Sequence, residues 1–320
     1  MTGTGAQDAA RADRRRRRLE LPRTSTAGLD AAGAGERVFD PALKHFADGC
    51  RIADTAVAPA LRPAWQAARR TALDVVARGV ARSGWADSLV LRGSMLMSGW
   101  FGAAAREPHD LDFVVVPQDW GIEEPRTGRL LTAVAEAAER VAAEEGGLVM
   151  PAGGAVCEDI WTYERVPGRR MVLPWSAPGL PGGQVQLDFV FNEPLPVAPE
   201  PAEVAGVLLP AATRELSLAW KLMWLAGDLY PQGKDLYDAV LLAEDCVLPY
   251  PLLAEVFRLS GEWEVGGGGH LPPTPAAFER FEGTDWTGFA LEYPGLDCAG
   301  RRYEDRMLAL LEKTFREGAR

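Results

Sequence analysis

The amino-acid sequence predicts an α+β fold, in which a small mixed β-sheet is flanked by helices and followed by a helical C-terminal part. Residues 88–117 have the pattern of a strand, a tight turn, a short helix and a second strand that ends at Pro117. Strand candidates follow at 155–163, 170–173 and 184–191, separated by Pro- and Gly-rich stretches. From Thr213, an N-cap residue, apolar side chains recur at helical spacing instead.

Composition narrows the class of protein. With 320 residues and 47% hydrophobic content, the chain can bury a sizeable core. No apolar run reaches the roughly 18 residues of a membrane span and the N-terminus lacks a secretory pattern, so we expect a cytoplasmic protein without a membrane partner. The four cysteines lie far apart and there are only three His, which argues against a zinc site and favours buried free thiols. The net charge of −11 repels nucleic acid. An RNA partner would therefore have to bind at a local basic patch, and the alternative is a substrate smaller than RNA.

Three segments are expected along the chain. Residues 1–36 have the composition of a disordered tail, whose run Arg14 to Arg18 either attracts phosphate backbones or is simply solvated. Residues 37–200 form the core of the protein with two N-terminal helices, one from Asp40 to about Val57 and one after Pro63. Residues 201–320 form a helical C-terminal domain. The proline-rich stretch 192–210 is predicted to be a linker without regular structure.

Two carboxylates open the second strand. Because side chains alternate along a strand, Asp110 and Asp112 project from one side while Leu111 and Phe113 face the core. Like charges this close repel, and the pair therefore calls for a cation. Oxygen ligands suit Mg²⁺, which takes one or two carboxylates and leaves its other positions to water and substrate phosphates.

An anion-binding turn is predicted just upstream. Gly93 and Ser94 end the first strand and open a helix. They offer backbone N–H groups, a hydroxyl and the positive end of the helix dipole to a phosphate.

A third carboxylate lies in the strand at 184–191. Asp188 sits opposite the apolar face of this strand, and burying it without a partner is costly. A metal shared with Asp110 and Asp112 would remove that cost. The alternative is an edge strand with Asp188 in water.

Charged residues also mark two C-terminal helices. Lys221 lies in a largely apolar helix, where it either extends its ammonium to water or binds phosphate. Asp235 and Asp238 fall in the first turn of the next helix, where the helix dipole is a sufficient structural reason for at least one of them.

These segments together carry a resemblance to a known group of enzymes. Gly93-Ser94, a short helix and Asp110-x-Asp112 opening a strand resemble the signature of the nucleotidyltransferase superfamily. Within it, the spacing Arg106-x-x-x-Asp110-x-Asp112 resembles the AbiEii/AbiGii-type toxin family, over about residues 85 to 245. Later stretches are similar to this family as well, namely Leu187-Asp188-Phe189, Ala219-Trp220-Lys221-Leu222 and Lys234-Asp235-Leu236-Tyr237-Asp238. In one departure, Pro108 stands where the family usually has a hydroxyl residue, and His109 directly precedes Asp110.

The resemblance implies a set of roles. It implies transfer of NMP from ATP or another NTP to an acceptor, with Mg²⁺ or Mn²⁺ and release of pyrophosphate. The implied catalytic residues are Asp110, Asp112, Asp188, Lys221 and Asp235, and the first three are also the implied metal ligands. Nucleotide binding is implied for Gly93, Ser94, Arg106 and Lys221.

The resemblance also implies a biological setting and leaves alternatives. It implies the toxin of a bacterial toxin–antitoxin or phage-defence pair, with tRNA ends as acceptors in some relatives and an antitoxin protein as partner. One alternative is a nucleotidyltransferase that modifies a small molecule such as an antibiotic, which suits the acidic surface. The other is a non-catalytic relative that binds a nucleotide or a partner protein.

Overall fold

The computed structural model describes most of the chain from residue 57 onward. The described residues are 24, 37–39, 50–52, 57–162, 166–227, 231–261, 264–265, 269–270, 272–278, 284–296 and 300–318. The predicted tail 1–36, apart from Thr24, and most of the helix predicted from Asp40 lie outside this part of the chain. At residues 50–52, where that helix was expected to continue, the chain is a strand instead, so the prediction is wrong there.

Strands and helices follow the order of the sequence pattern. The described strands are β1 Arg37–Phe39, β2 Cys50–Ile52, β3 Leu89–Arg92, β4 Asp110–Val115, β5 Val156–Thr162, β6 Val166–Trp175, β7 Gly183–Val190, β8 Glu200–Val204, β9 Val207–Ala211, β10 Glu264–Val265 and β11 Gly269–His270. The described helices are α1 Arg62–Arg82, α2 Ser94–Phe101, α3 Pro125–Glu145, α4 Arg214–Gly227, α5 Gly233–Asp245, α6 Tyr250–Ser260, α7 Trp286–Glu292 and α8 Gly300–Gly318. The predicted mixed α+β fold with a helical C-terminal part is confirmed.

Two compact units are interleaved along the chain. The described residues of the first unit come from Met1–Leu89, His109–Asn192 and Val204–Val207, and those of the second from Val90–Pro108, Glu193–Glu203 and Leu208–Arg320. The chain therefore enters the second unit after Leu89 and returns to the first at His109.

The first unit contains the strand order β5-β6-β7-β4 of the mixed sheet. Its first three strands pair antiparallel, and β7 pairs parallel with β4. One face of this sheet is apolar: Phe113 and Phe189 lie opposite each other, with stacked rings whose centroids are 5.7 Å apart. Because side chains alternate, the residues on either side of these two aromatics point to the opposite face.

Helices α1 and α3 pack against each other in the first unit. Leu73, Val76 and Val80 of α1 are fully buried, as their helical spacing predicts. At Gly79 a Cβ atom would lie 2.8 Å from the Cα atom of Ala138, so only glycine permits this close approach of the two helices.

The second unit contains β3, β9 and β8 in that order and most of the helices. Strand β3 pairs parallel with β9, with Leu91 opposite Ala211. Thr213 caps α4 as predicted, since its hydroxyl accepts a hydrogen bond of 3.2 Å from the backbone N–H of Leu216. Aromatic residues of α5, α7 and α8, together with the residue that follows α7, form a cluster of their own: Tyr237, Trp286, Phe289, Tyr303 and Tyr293.

The linker prediction for residues 192–210 is wrong in its second half, where the chain forms β8 and β9. The prediction rests on the missing backbone donor of proline, which disfavours regular structure. However, Pro201 lies in β8, at the end of the strand order, where a missing donor is tolerated.

Two further expectations concern membranes and thiols. Among the described residues, no helix combines the length and the apolar character that crossing a membrane requires. Cys157 and Cys246 are half-buried rather than fully buried. Burial raises the pKa of Cys246 to about 12, which keeps it protonated and unreactive.

Candidate active site

The Asp-x-Asp pair lies at the start of β4 in the first unit. Asp110 and Asp112 are half-buried, whereas Leu111 and Phe113 between and after them are fully buried. This alternation confirms that the two carboxylates project from one face of a strand, as the sequence predicts.

The neighbouring strand places a third carboxylate on the same face. In the parallel ladder between β4 and β7, Asp112 lies opposite Asp188 and Asp110 lies opposite Gln186. Residues directly opposite each other on adjacent strands share a face of the sheet. Asp110, Asp112 and Asp188 are therefore brought to one face of the first unit, opposite the apolar face of Phe113 and Phe189.

Asp188 has a partner within the protein. Arg170 of β6 donates from Nε to Oδ1 and from Nη2 to Oδ2, both at 2.8 Å, and Gln186 donates to Oδ2 at 3.1 Å. The fork of Arg170 thus supplies an opposite charge for Asp188 within the protein, a compensation that the sequence analysis expected from a shared metal. The edge-strand alternative is wrong, since β7 lies between β6 and β4 and Asp188 is 9% exposed.

The carboxylates of Asp110 and Asp112 are suited to bind a hard cation. Among the residues that the structure describes, no group of three His, Cys, Asp or Glu is arranged to hold a metal ion. This disagrees with the predicted ligand set of Asp110, Asp112 and Asp188. A pair of same-face carboxylates still matches Mg²⁺, which usually binds one or two protein carboxylates and keeps other positions for water and phosphate.

The Gly93-Ser94 turn belongs to the second unit. The backbone of Gly93 has φ of 78°, in the left-handed region that favours glycine, and α2 begins at Ser94. The first turn closes by a hydrogen bond of 3.2 Å from the N–H of Met97 to the carbonyl of Gly93. The predicted strand, turn and short helix are confirmed here, with Ser94 buried at the N-terminus of the helix.

Lys221 lies in α4 of the second unit and does not reach into water. Its Nζ is 2.6 Å from Oδ1 of Asp235 and 3.2 Å from Oδ2 of Asp238, and the residue is 5% exposed. The alternative of an ammonium extended to solvent is therefore wrong. Burial opposes the charged form of Lys221, but the two carboxylates outweigh it and raise its pKa. Burial likewise opposes the charge of Asp235, but Lys221, Lys234 and Arg106 together outweigh it and lower the pKa of that carboxyl.

Asp238 connects Lys221 to Arg106. The carboxylate of Asp238 is fully buried and accepts from Nε and Nη2 of Arg106 at 3.0 to 3.2 Å. Arg106 also donates from Nη1 to the hydroxyl of Tyr293 at 2.9 Å. The prediction that Asp238 falls in the first turn of α5 is wrong, because only Asp235 of the two lies there, and Asp238 instead joins two cations in a tertiary network. Arg106, predicted to bind nucleotide, is held in this network.

Sequence reasoning missed the roles of Arg170 and Asp238. Arg170 begins a predicted strand, and its pairing with Asp188 depends on the register of β6 and β7. The sequence feature that could have indicated this pair was a positive charge, Arg170, in the strand candidate that precedes the strand of Asp188. Asp238 lies among the buried residues of α5, which include Leu236, Tyr237 and Val240. A carboxylate among apolar residues of a helix was the sequence feature that could have indicated a buried ion pair.

Comparison with known proteins places the chain in a family. A family model described as "Nucleotidyl transferase AbiEii toxin, Type IV TA system" matches residues 74–306. The chain belongs to this family. Among solved structures, the chain is similar to MenT4, a nucleotidyltransferase toxin from Mycobacterium tuberculosis H37Rv, with 16% identity, a TM-score of 0.45 and coverage of 77% of this chain and 93% of that one. A search of curated proteins finds no match.

Membership in the AbiEii family confirms the resemblance drawn from the sequence. The Gly93-Ser94 turn, the Asp110-x-Asp112 pair and Lys221 all fall within the matched region. This family is one of nucleotidyltransferase toxins of type IV toxin–antitoxin systems, and membership in it implies an NTP substrate and an antitoxin partner. The Arg14 to Arg18 run lies outside the match.

Proposed function

We propose that this AbiEii-family protein transfers NMP from an NTP, such as ATP, to a hydroxyl group of an RNA acceptor, with tRNA as the substrate in the cytoplasm. The observation that supports it best is the same-face pair Asp110 and Asp112 on the stiff β4 strand. A nucleotidyltransferase needs oxygen ligands of this kind for the divalent cation that accompanies an NTP. An antitoxin or phage-defence partner would oppose or trigger this activity.

The proposed reaction is an in-line displacement at the α-phosphorus. The hydroxyl oxygen of the acceptor forms the new bond to phosphorus as its proton leaves to solvent. The bond between the α-phosphorus and the bridging oxygen breaks, and pyrophosphate carries away the electron pair. No oxidation or reduction takes place.

Asp110 and Asp112 are the proposed ligands of Mg²⁺ or Mn²⁺. When bound, such an ion supplies charge neutralisation for the phosphates. Asp188, whose two oxygens both accept from Arg170, has its negative charge balanced by the protein. We infer that Asp188 sets the charge and orientation of the side chains on this face of the sheet. Asp110 and Asp112 are the direct ligands.

Lys221 is the proposed cation for the nucleotide phosphates. Its raised pKa keeps the ammonium charged throughout the neutral range, so it acts as a charge and hydrogen-bond donor rather than as a base. The lowered pKa of Asp235 keeps that carboxylate ionised, and its 2.6 Å contact holds Nζ in place. Gly93 and Ser94, at the start of α2, are assigned to the triphosphate through backbone N–H groups and a hydroxyl.

The test is to follow the label from NTPs labelled at the α- or the γ-phosphate. Purified protein is incubated with Mg²⁺, each of the four NTPs and either tRNA or an aminoglycoside. Label from the α-position should move to tRNA, and pyrophosphate should accumulate in equal amount. Transfer from the γ-position would mean a kinase, and transfer to the aminoglycoside alone would mean a small-molecule enzyme. A chain that binds NTP without transfer to either would be a non-catalytic relative.

A further inference from the structure

Trp224 is an unusual residue of α4. Within this helix, all residues from Leu216 to Leu225 are buried except Trp224, which is half-buried. A large aromatic ring that keeps part of its surface accessible in the middle of an otherwise buried helix is suited to contact a ligand.

Two cations lie against this ring. The Nζ atom of Lys221, one turn earlier in the helix, is 5.3 Å from the ring centroid of Trp224. The Cζ atom of Arg92 is 5.6 Å from the same centroid, and 5.3 Å from that of Trp220. Arg92 is itself 4% exposed and lies 4.0 Å from Glu193, so its guanidinium is fixed in place. The ring therefore lies beside two cations, each of which also has a carboxylate partner in the same unit.

The chain leads directly from Arg92 to the anion-binding turn. Arg92 ends β3, and Gly93 and Ser94 open α2 immediately after it. One segment of the second unit thus carries a cation that touches Trp224 and a helix N-terminus proposed to bind phosphate.

From this arrangement we propose that Trp224 is a stacking platform for a nucleobase whose phosphates are bound by Lys221. The inference rests on the proposed function and adds a base subsite to it. A nucleotide has an anionic end and a flat π-face only a few ångströms apart, and Lys221 beside Trp224 offers a partner for each. Because every base has a π-face, stacking of this kind binds all four bases. The base belongs either to the NTP or to the terminal nucleotide of the acceptor RNA.

The experiment measures binding by calorimetry to the full-length protein. Two ligands are compared, a non-hydrolysable NTP and inorganic tripolyphosphate, which has the charge but no base. Trp224→Leu keeps an apolar side chain and removes the aromatic face, and Trp224→Phe keeps a smaller aromatic face. We expect Trp224→Leu to weaken NTP binding by about 5- to 150-fold, with tripolyphosphate binding unchanged and Trp224→Phe retaining most of the affinity.

A matched control lies elsewhere in the second unit. Trp100 is also half-buried and also carries a cation, with Cζ of Arg214 4.9 Å from its ring centroid. Trp100→Leu removes the same chemical group and should change the affinity for neither ligand. Melting curves of each variant check that the fold is retained.

The source of the base is decided by a second measurement. If NTP affinity is unchanged in Trp224→Leu but KM for tRNA rises by a similar factor with kcat preserved, the platform serves the acceptor base. Unchanged affinity for both NTP and tRNA overturns the inference, as does an equal loss of NTP and tripolyphosphate binding, which would indicate a purely structural Trp224. A wild-type protein that binds no NTP overturns the proposed function itself, and the base subsite with it.

Discussion

Arg170 holds Asp188 across two antiparallel strands with a pair of hydrogen bonds, each 2.8 Å long. Both residues are 9% exposed, so this is a buried ion pair with nearly ideal fork geometry. On its other side, Asp188 lies in register with Asp112. Arg170 therefore neutralises a carboxylate next to the proposed metal ligands, and this reduces the repulsion that three negative charges on one face would cause.

Removing Arg170 alone should destabilise the protein strongly. Arg170→Met leaves the buried carboxylate of Asp188 without its counter-ion, which we expect to lower the free energy of unfolding by about 3 to 5 kcal/mol. Arg170→Met combined with Asp188→Asn should recover much of this loss, because no uncompensated charge remains. Denaturant unfolding of the wild type, both single variants and the double variant measures the coupling.

Arg169 provides the control for that cycle. It is the neighbouring residue on β6, points to the opposite face, and pairs with Asp159, whose side chain is 66% exposed. Arg169→Met should cost no more than about 1 kcal/mol. If the decreases in unfolding free energy caused by Arg170→Met and Asp188→Asn simply add in the double variant, Arg170 does not compensate the charge of Asp188.

Asp112→Asn should abolish nucleotidyl transfer without destabilising the protein in metal-free buffer. Neutralising Asp112 relieves repulsion from Asp110 and Asp188, so the melting temperature without metal should stay constant or rise. With Mg²⁺ the variant loses a charged ligand, and the rise in melting temperature on adding metal should shrink. Melting curves with and without Mg²⁺ and a non-hydrolysable NTP, together with transfer assays, check both parts.

Asp159→Asn is the matched control, since Asp159 is an exposed carboxylate on β5. It should keep both the transfer activity and the full metal response. A destabilised Asp112→Asn protein with an unchanged response to Mg²⁺ would refute the metal assignment.

Lys221→Met separates the structural from the chemical role of the lysine. The variant leaves two carboxylates, Asp235 and Asp238, without the ammonium that they share, so we expect the free energy of unfolding to fall by about 3 to 5 kcal/mol. Lys221→Met with Asp235→Asn restores charge balance and should recover much of the stability. Transfer activity should remain at least 100-fold below wild type in the double variant, on the order expected for lost phosphate stabilisation. Recovery of activity along with stability would mean that Lys221 only supports the fold.

The ion pair of Lys221 and Asp235 predicts how stability depends on pH. Asp235 has a folded-state pKa below its ordinary 3.8, so its contribution is present above that value and is lost as pH falls through the folded pKa. Lys221 has a folded-state pKa above its ordinary 10.5, so its contribution is present below that value and is lost as pH rises through the folded pKa.

The comparison is made with the double variant Lys221→Met, Asp235→Asn. Its difference in unfolding free energy from the wild type should be constant between about pH 5 and 9 and should change only below about pH 4 or above about pH 10. Denaturant unfolding across this range gives the difference directly. A change centred near pH 6 or 7 would show that another group controls the network.

Local sequence determined most of the elements and the identity of the chemical groups. The β-branched run after Asp110 predicted β4, the alternation placed Asp110 and Asp112 on one face, and Thr213 predicted the start of α4. These features depend on interactions within a few residues, such as steric preference, strand alternation and N-capping. The family signature followed from the same residues, because each of its segments is short and contiguous.

Tertiary structure alone decided which charges meet. Arg106 and Asp238 are 132 positions apart, and Arg170 and Asp188 are 18 apart on two different strands. Residue type predicts that a buried carboxylate needs a partner, but not whether that partner is a metal, water or an arginine. The choice depends on the register of β6 against β7 and on the packing of α4 against α5, and these are set by the burial of many side chains at once. For the same reason β9 forms a strand in a proline-rich stretch, since its pairing with β3, which is distant in sequence, outweighs local preference, and β8 lies next to β9 in the strand order.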